Sequence, residues 1–171
     1  MDPMALAQQI LALTPEQRAD LIHQVQSGFD AHLGMHFRHV ATDKTVATLE
    51  VTENHLQPYG LVHGGVYCTL AEAVCSVGAV MSILASGRHA VGAENRTRFK
   101  RAARVGTTLT ATAVPAEISE PWHTWQCTIE DADGRVCAEG SVVVRALEPG
   151  TSLAGQRIEP PKVPDLPSDG A

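Results

Sequence analysis

Hydrophobic and polar positions change their period several times along this chain, and each change marks an element. Residues 4–30 read as helical. Thr14 has the place of an N-cap, Pro15 takes the first helical position, and Gln17 sits three residues after the cap, at capping-box spacing. Leu21, Ile22 and Val25 then form an apolar stripe at helical spacing. Residues 35–52 alternate instead. In Thr45-Val46-Ala47-Thr48-Leu49-Glu50-Val51-Thr52, Ala47, Leu49 and Val51 share one face and Thr48, Glu50 and Thr52 the other, as in one strand or a short hairpin. Residues 53–63 carry loop signals, including Gln57-Pro58-Tyr59-Gly60.

Residues 64–86 hold the longest helical pattern. Val66, Leu70, Ala73, Val74, Val77, Val80, Met81 and Leu84 recur at helical spacing. Ala71, Ala79 and Ile83 fill the flanks, so the helix is apolar nearly all round and belongs in the middle of the fold. Gly87 is a plausible stop. Four strand-like runs follow, at about 89–101, 106–118, 122–131 and 135–147. Asp133-Gly134 between the last two is a strong hairpin signal, and Gly106 and Pro121 punctuate the other joins. Short joins predict an antiparallel meander of all four. The expected fold class is α+β, a single domain with an antiparallel sheet wrapped around a long central helix. Residues 1–32 are its helical extension, 33–148 the domain, and 149–171 a Pro-rich tail expected to be disordered.

The 171-residue length suits one domain with a sizeable core. Aromatics make up only 4 %, so small and β-branched side chains must fill that core. The net charge of −6 argues against a general nucleic-acid binder. Even so, Arg88, Arg96, Arg98, Lys100, Arg101 and Arg104, six of the 13 basic residues, fall in one short stretch. Such a stripe suits a small polyanion, or else forms the solvated face of a strand. Cys68, Cys75, Cys127 and Cys137 form no C-x-x-C pair, so neither zinc nor a thioredoxin-like motif is indicated. Cys127 and Cys137 are also out of register for a cross-strand disulfide across the Asp133-Gly134 turn. The N-terminus lacks a basic start before an apolar run, no apolar stretch reaches the length and purity of a membrane span, and a reduced cytoplasmic setting is expected.

Between Asn54 and Gly87 the only formally charged residue is Glu72, near the middle of the most apolar helix. A buried unpaired carboxylate is expensive, and proteins tolerate it mainly where it is partnered or functional. The alternative is a carboxylate at a helix edge facing solvent or a subunit contact. Cys68 and Ser76 lie one turn to either side of Glu72 and Thr69 lies three before, giving a narrow polar stripe. Just before the helix stands Gly60-Leu61-Val62-His63-Gly64-Gly65. Paired glycines allow close backbone approach, and free N–H groups at a helix start stabilise developing negative charge on a thioester carbonyl. At helical rise, Glu72 is on the order of 12 Å from the Gly64 end of its own helix. That is long for both to touch one carbonyl, so a homodimeric site is expected, with Glu72 of one subunit facing Gly64 of another. No serine elbow of the G-x-S-x-G kind and no metal constellation is present. Cys68 lacks a visible histidine partner, and Trp122 and Trp125 are expected in or on the sheet.

The stretch from Gly60 to Glu72, Gly60-Leu61-Val62-His63-Gly64-Gly65-Val66-Tyr67-Cys68-Thr69-Leu70-Ala71-Glu72, resembles the hot-dog-fold acyl-CoA thioesterases. It is most similar to the Arthrobacter-type 4-hydroxybenzoyl-CoA thioesterase family and its phenylacetate-degradation relatives. The similarity runs from about residue 33 to 147 and takes in Ala90-Val91-Gly92, Asn95, Phe99-Lys100-Arg101 and Asp133-Gly134-Arg135. The resemblance implies a single hot-dog domain that hydrolyses an acyl-CoA, aromatic or medium-chain, to free acid and CoA without metal or redox cofactor. It implies Glu72 as nucleophile or general base, Gly64 N–H and Gln57 on the thioester carbonyl, His63 as an orienting residue, and Ser76 placing the water. Gly65, Asn95, Arg98, Lys100 and Arg101 are implied as substrate contacts, Arg101 foremost on the CoA phosphates. It also implies dimers that pair into tetramers. Two departures stand out. Val77 occupies the place of a second carboxylate on the acyl side, so an acyl group without a polar ring substituent is expected. Glu120-Pro121 replaces Ser/Thr contacts to CoA. The rival readings are a non-catalytic acyl-CoA-binding module and a hot-dog hydratase, for whose Asp/His pair no residues are found.

Overall fold

A computed structural model describes residues 3–158. Three helices open the chain: α1 (Pro3–Ala12), α2 (Pro15–Val25) and α3 (Gly28–Leu33). The capping box at α2 is as expected: Thr14 Oγ1 accepts from Gln17 N–H, and the Gln17 side chain accepts from Thr14 N–H. Strands β1 (His36–Val40) and β2 (Thr45–Glu50) form a hairpin. Helix α4 (Gly64–Ile83) follows, continued by one 3-10 turn to Ser86 and stopped by Gly87 in left-handed conformation. Strands β3 (His89–Phe99), β4 (Thr108–Ser119), β5 (Trp122–Glu130) and β6 (Val136–Leu147) complete the sheet.

The sheet is antiparallel with order β1-β2-β4-β5-β6-β3. This corrects the expected meander. β4, β5 and β6 are sequential neighbours, but β3 pairs with β6 at the far edge and β4 returns to pair with β2. Helix α4 carries the chain across the sheet, so the strand after it lands on the opposite edge. The link through residues 100–107 then runs back along one end of the sheet. It is tied there by Val62 N–H to Ala103 O (2.9 Å), Gly106 N–H to Val51 O (2.9 Å) and Lys100 N–H to Cys137 O (2.8 Å).

One sheet face wraps α4. Ala47, Leu49, Leu109, Ala111, Ala113, Trp125, Cys127, Ile129, Val142 and Val144 point inward and are buried. They meet Val66, Leu70, Ala71, Val74, Cys75, Ala79 and Met81 from the helix. A Cβ at Gly78 would lie 2.5 Å from the Trp125 ring, so only glycine lets helix and strand approach this closely there. From Gly64 to Ser86 the chain has the length and composition of a membrane span, contrary to the sequence reading. Here half of that stretch is buried within the fold.

Helix α2 packs on β1, and α3 on α4, so the extension covers one edge of the domain. All four cysteines are free, and Cys127 stands opposite Gly140 rather than Cys137. Trp122 lies outside the core, with the Arg145 guanidinium 5.6 Å from its ring centre. Part of the tail expected to be disordered is folded: β7 (Ser152–Leu153) and β8 (Gln156–Arg157) form a small hairpin, while residues 159–171 lie outside the described residues.

Trp125 is wholly buried between helix and sheet. Trp125→Ala is expected to destabilise the domain by about 3–5 kcal/mol, read from the denaturant midpoint.

Candidate active site

The loop before α4 is held by short-range bonds that leave its glycines at the surface. His63 N–H donates to His55 O (2.8 Å), and His55 is itself buried, its ring 2.9 Å from Leu33 O. His63 is the N-cap of α4, and its Nδ1 accepts from Gly65 N–H at 2.9 Å. That bond occupies the Gly65 donor. Gly64, at the first helical position, has no acceptor for its N–H within the helix. The Phe99 ring lies against Gly64 so closely that a Cβ there would sit 2.7 Å from it. Gln57 Oε1 accepts from Tyr59 N–H (3.2 Å), which leaves its NH2 group as a donor. Gln57, His63, Gly64, Tyr67, Phe99, Lys100 and Arg101 line one cleft, of about 560 Å³. Burial, with nearby Cys137, pushes the Tyr67 phenol up to about 12, so it stays a neutral donor; its hydroxyl reaches Arg101 O at 3.4 Å.

Glu72 opens into a different cleft, of about 450 Å³, lined by Phe29, Asp30, Cys68, Thr69, Glu72, Ala73, Ser76 and Asn95. Its carboxylate is half-buried and partnered by hydrogen-bond donors. Asn95 Nδ2 donates to Glu72 Oε2 (2.9 Å) and to Cys68 O (3.0 Å), and Ser76 Oγ donates to Glu72 Oε1 (3.3 Å). Thr97 Oγ1 in turn donates to Asn95 Oδ1 at 2.7 Å. The arrangement orients a carboxylate by two donors, one of which is fixed from behind. Asn95, read as a substrate contact, has its amide nitrogen bonded here to Glu72 and to Cys68 O. Gly92 completes the seat, because a Cβ there would overlap Glu72 Oε1. Val77 packs against the core and is not among the residues lining this cleft.

The basic stripe divides. Arg96 and Arg98 stand on the outer face of the sheet, in a broad depression with Gln126, Thr128, Glu139 and Ser141. Lys100 pairs with Glu139 at 2.9 Å, yet with Arg101 it also borders the Gly64 cleft. Arg88 donates to both Glu120 oxygens (2.6 and 2.9 Å), and that guanidinium holds the Glu120 carboxyl down at about 2. Glu120 therefore serves a structural pair. No group of three or more His, Cys, Asp or Glu side chains suited to a metal occurs among the described residues.

Residues 59–138 match the model of the thioesterase superfamily. A 1,4-dihydroxy-2-naphthoyl-CoA hydrolase of Escherichia coli is 30% identical over 115 residues, covering 67% of this chain and 83% of the relative. The chain belongs to the thioesterase superfamily. It is a thioester hydrolase with a hot-dog fold. Among solved structures, S. sahachiroi AziG is 35% identical with a TM-score of 0.68, covering 71% of this chain and 97% of AziG. The thioesterase HI1161 of Haemophilus influenzae is 26% identical with a TM-score of 0.70, covering 80% and 92%.

Within this thioesterase the structure gathers Gln57, His63, Gly64, Lys100 and Arg101 in one place and Glu72, Ser76 and Asn95 in another. Gly65 lies in a third cleft beside His63 and Thr69, and Arg98 borders neither main cleft. Sequence reasoning missed Thr97 and Gly92 as supports of Glu72. Thr97 shares the inward face of its strand with Asn95, so alternation carried a signal for it. Gly92 had none, because its role comes from the crossing of β3 over α4. Asp30 was also missed, since it lies on a helix outside the recognisable motif.

Gly92→Ala and Asn95→Ala are each expected to lower kcat about ten- to hundred-fold by displacing Glu72, with far-ultraviolet circular dichroism unchanged. Steady-state thioester hydrolysis checks this.

Proposed function

We propose that this thioesterase hydrolyses an acyl-CoA, aromatic or medium-chain, to free acid and CoA at a site shared by two subunits. The observation that carries the reading is Glu72, a carboxylate oriented by Asn95 and Ser76 at the wall of an otherwise apolar helix. Gly64 N–H, with the Gln57 NH2 group, donates to the thioester carbonyl as it gains negative charge. Glu72 of the second subunit adds to the carbonyl carbon, or takes a proton from a water held at Ser76 that does so. Collapse of the tetrahedral adduct breaks the C–S bond; the departing CoA thiolate takes up the proton that Glu72 removed from water in the general-base route, or one released by the water that later cleaves the acyl–enzyme in the nucleophilic route. In the nucleophilic route water then cleaves the acyl–Glu72 anhydride. Arg101 and Lys100, beside the Gly64 cleft, suit the CoA phosphates.

Two features support a shared site. Glu72 and Gly64 open into separate clefts of one protomer. Strand β3 is an 11-residue edge whose outer side pairs with no strand among the described residues, and Phe99 on it is 54% exposed. Such an edge suits pairing with a second copy. A dimer of dimers and a reducing, cytoplasmic setting for the free thiols complete the proposal.

Release of free thiol from benzoyl-, phenylacetyl- and short- to long-chain aliphatic-CoA tests this. Wild type is expected to be active, and Glu72→Ala to lose at least about a thousand-fold in kcat. A wild type that binds these esters without hydrolysing them would turn the site into a ligand-sensing module. Sedimentation velocity is expected to show an even-numbered oligomer.

A further inference from the structure

Glu72 is held from the neighbouring strand by a side chain that close packing does not hold. Asn95 is exposed on the protomer, so hydrogen bonds have to fix its amide. Its Nδ2 sits between two acceptors one helical turn apart on α4, Cys68 O (3.0 Å) and Glu72 Oε2 (2.9 Å). The reversed amide would set its oxygen against a carbonyl and a carboxylate, so Oδ1 faces away from both. There it accepts from Thr97 Oγ1 at 2.7 Å. The second donor to Glu72, Ser76 Oγ, is more distant from its oxygen at 3.3 Å. Thr97 is rigid where Asn95 is not. It is half-buried, it pairs with Gly140 of β6 in the sheet ladder, and as a β-branched residue it has a stiff first side-chain torsion. A Cβ on Gly140 would lie 2.7 Å from Ala71 Cβ and 3.6 Å from Thr97 Oγ1, so α4, β6 and the Thr97 hydroxyl meet at one point.

Resting on the hydrolytic reading above, we infer that Thr97 is a positioning residue of the reaction: its hydroxyl anchors the Asn95 amide, and through that amide it fixes the angle from which Glu72 acts. Thr97 lines neither the Gly64 cleft nor the Glu72 cleft, so a substrate lying in either meets Glu72 and Asn95 but not Thr97. The anchor is a side chain tied to the sheet. Donation to Oδ1 polarises the amide and strengthens the two N–H bonds on its far side, one of them to a carboxylate. A water in place of the hydroxyl would supply a hydrogen bond but not a fixed position, because it is not tied to β6. Loss of the hydroxyl therefore acts on the chemical step, where the orientation of Glu72 counts, and little on binding.

The test is steady-state hydrolysis by the full chain of whichever acyl-CoA in the panel above wild type cleaves fastest. The variants are Thr97→Val, Thr97→Ser, Asn95→Ala and the double variant Asn95→Ala/Thr97→Val. Thr97→Val keeps the shape and the strand preference and removes only the hydroxyl; Thr97→Ala reads the same loss if Thr97→Val does not fold. In Thr97→Val, kcat is expected to fall about five- to twenty-fold with KM within about two-fold of wild type. Thr97→Ser, which keeps the donor, is expected to stay within about three-fold of the wild-type kcat. On the Asn95→Ala background, Thr97→Val is expected to change kcat by less than about two-fold, because the hydroxyl has no amide left to hold. Equal kcat in wild type and Thr97→Val overturns the assignment. So does a loss of the same size with and without Asn95, or a change in KM alone. Each of these leaves the hydrolytic reading standing, because the ester is still cleaved. A wild type inert on every acyl-CoA would instead remove the hydrolytic reading and this one with it.

Discussion

Burial of α4 against the inner face of the sheet is the constraint on which the rest of this protein depends. An apolar helix of this length has to be covered, and a sheet of small inward residues wraps it closely enough to do so. Gly78 under Trp125 shows how tight the fit is. The same closeness creates the functional seat. With the helix pressed against β3, Glu72 lies over Gly92 and within reach of Asn95, so one charged group in an oily helix acquires two donors. The carboxylate is tolerated because the fold that surrounds it also solvates it.

The path of the chain explains why β3 matters more than its neighbours. It lies at the edge of the sheet, carries Asn95 and Thr97 on one face and the arginines on the other, and ends at Phe99 beside Gly64. One strand therefore touches both the Glu72 carboxylate and the turn at Gly64. Of the basic residues that look like one patch in sequence, Arg88 clamps Glu120, Arg96 and Arg98 stand on the outer sheet face, and Lys100 and Arg101 border the Gly64 cleft.

The N-terminal helices add a further layer to the same principle. They cover the β1 edge, and through α3 they reach the cleft at Glu72. A segment that contributes no part of the recognisable motif thus places an aromatic ring and a second carboxyl beside Glu72.

Much of this was legible in the sequence because it depends on neighbours a few residues apart. The Thr14 capping box, the 3.6-residue period of α4, the alternation of β2 and the Asp133-Gly134 turn each act locally, so their elements were read correctly within a few residues. The lone Glu72 and the His63-Gly64-Gly65 turn stood out for the same reason. Strand order was not legible. Nothing within residues 100–107 says whether the chain turns back beside β3 or crosses to β2, since that depends on how wide a sheet α4 has spanned. Nor could the sequence show that Asn95 binds Glu72, that Gly92 lies beneath it, or that Asp30 shares its cleft. Those contacts join positions 20 to 42 residues apart and exist only once helix, sheet and extension have packed. The sequence by itself determined the elements and the reactive groups; the tertiary structure decided which groups meet, because contact across the core is set by packing and not by spacing along the chain.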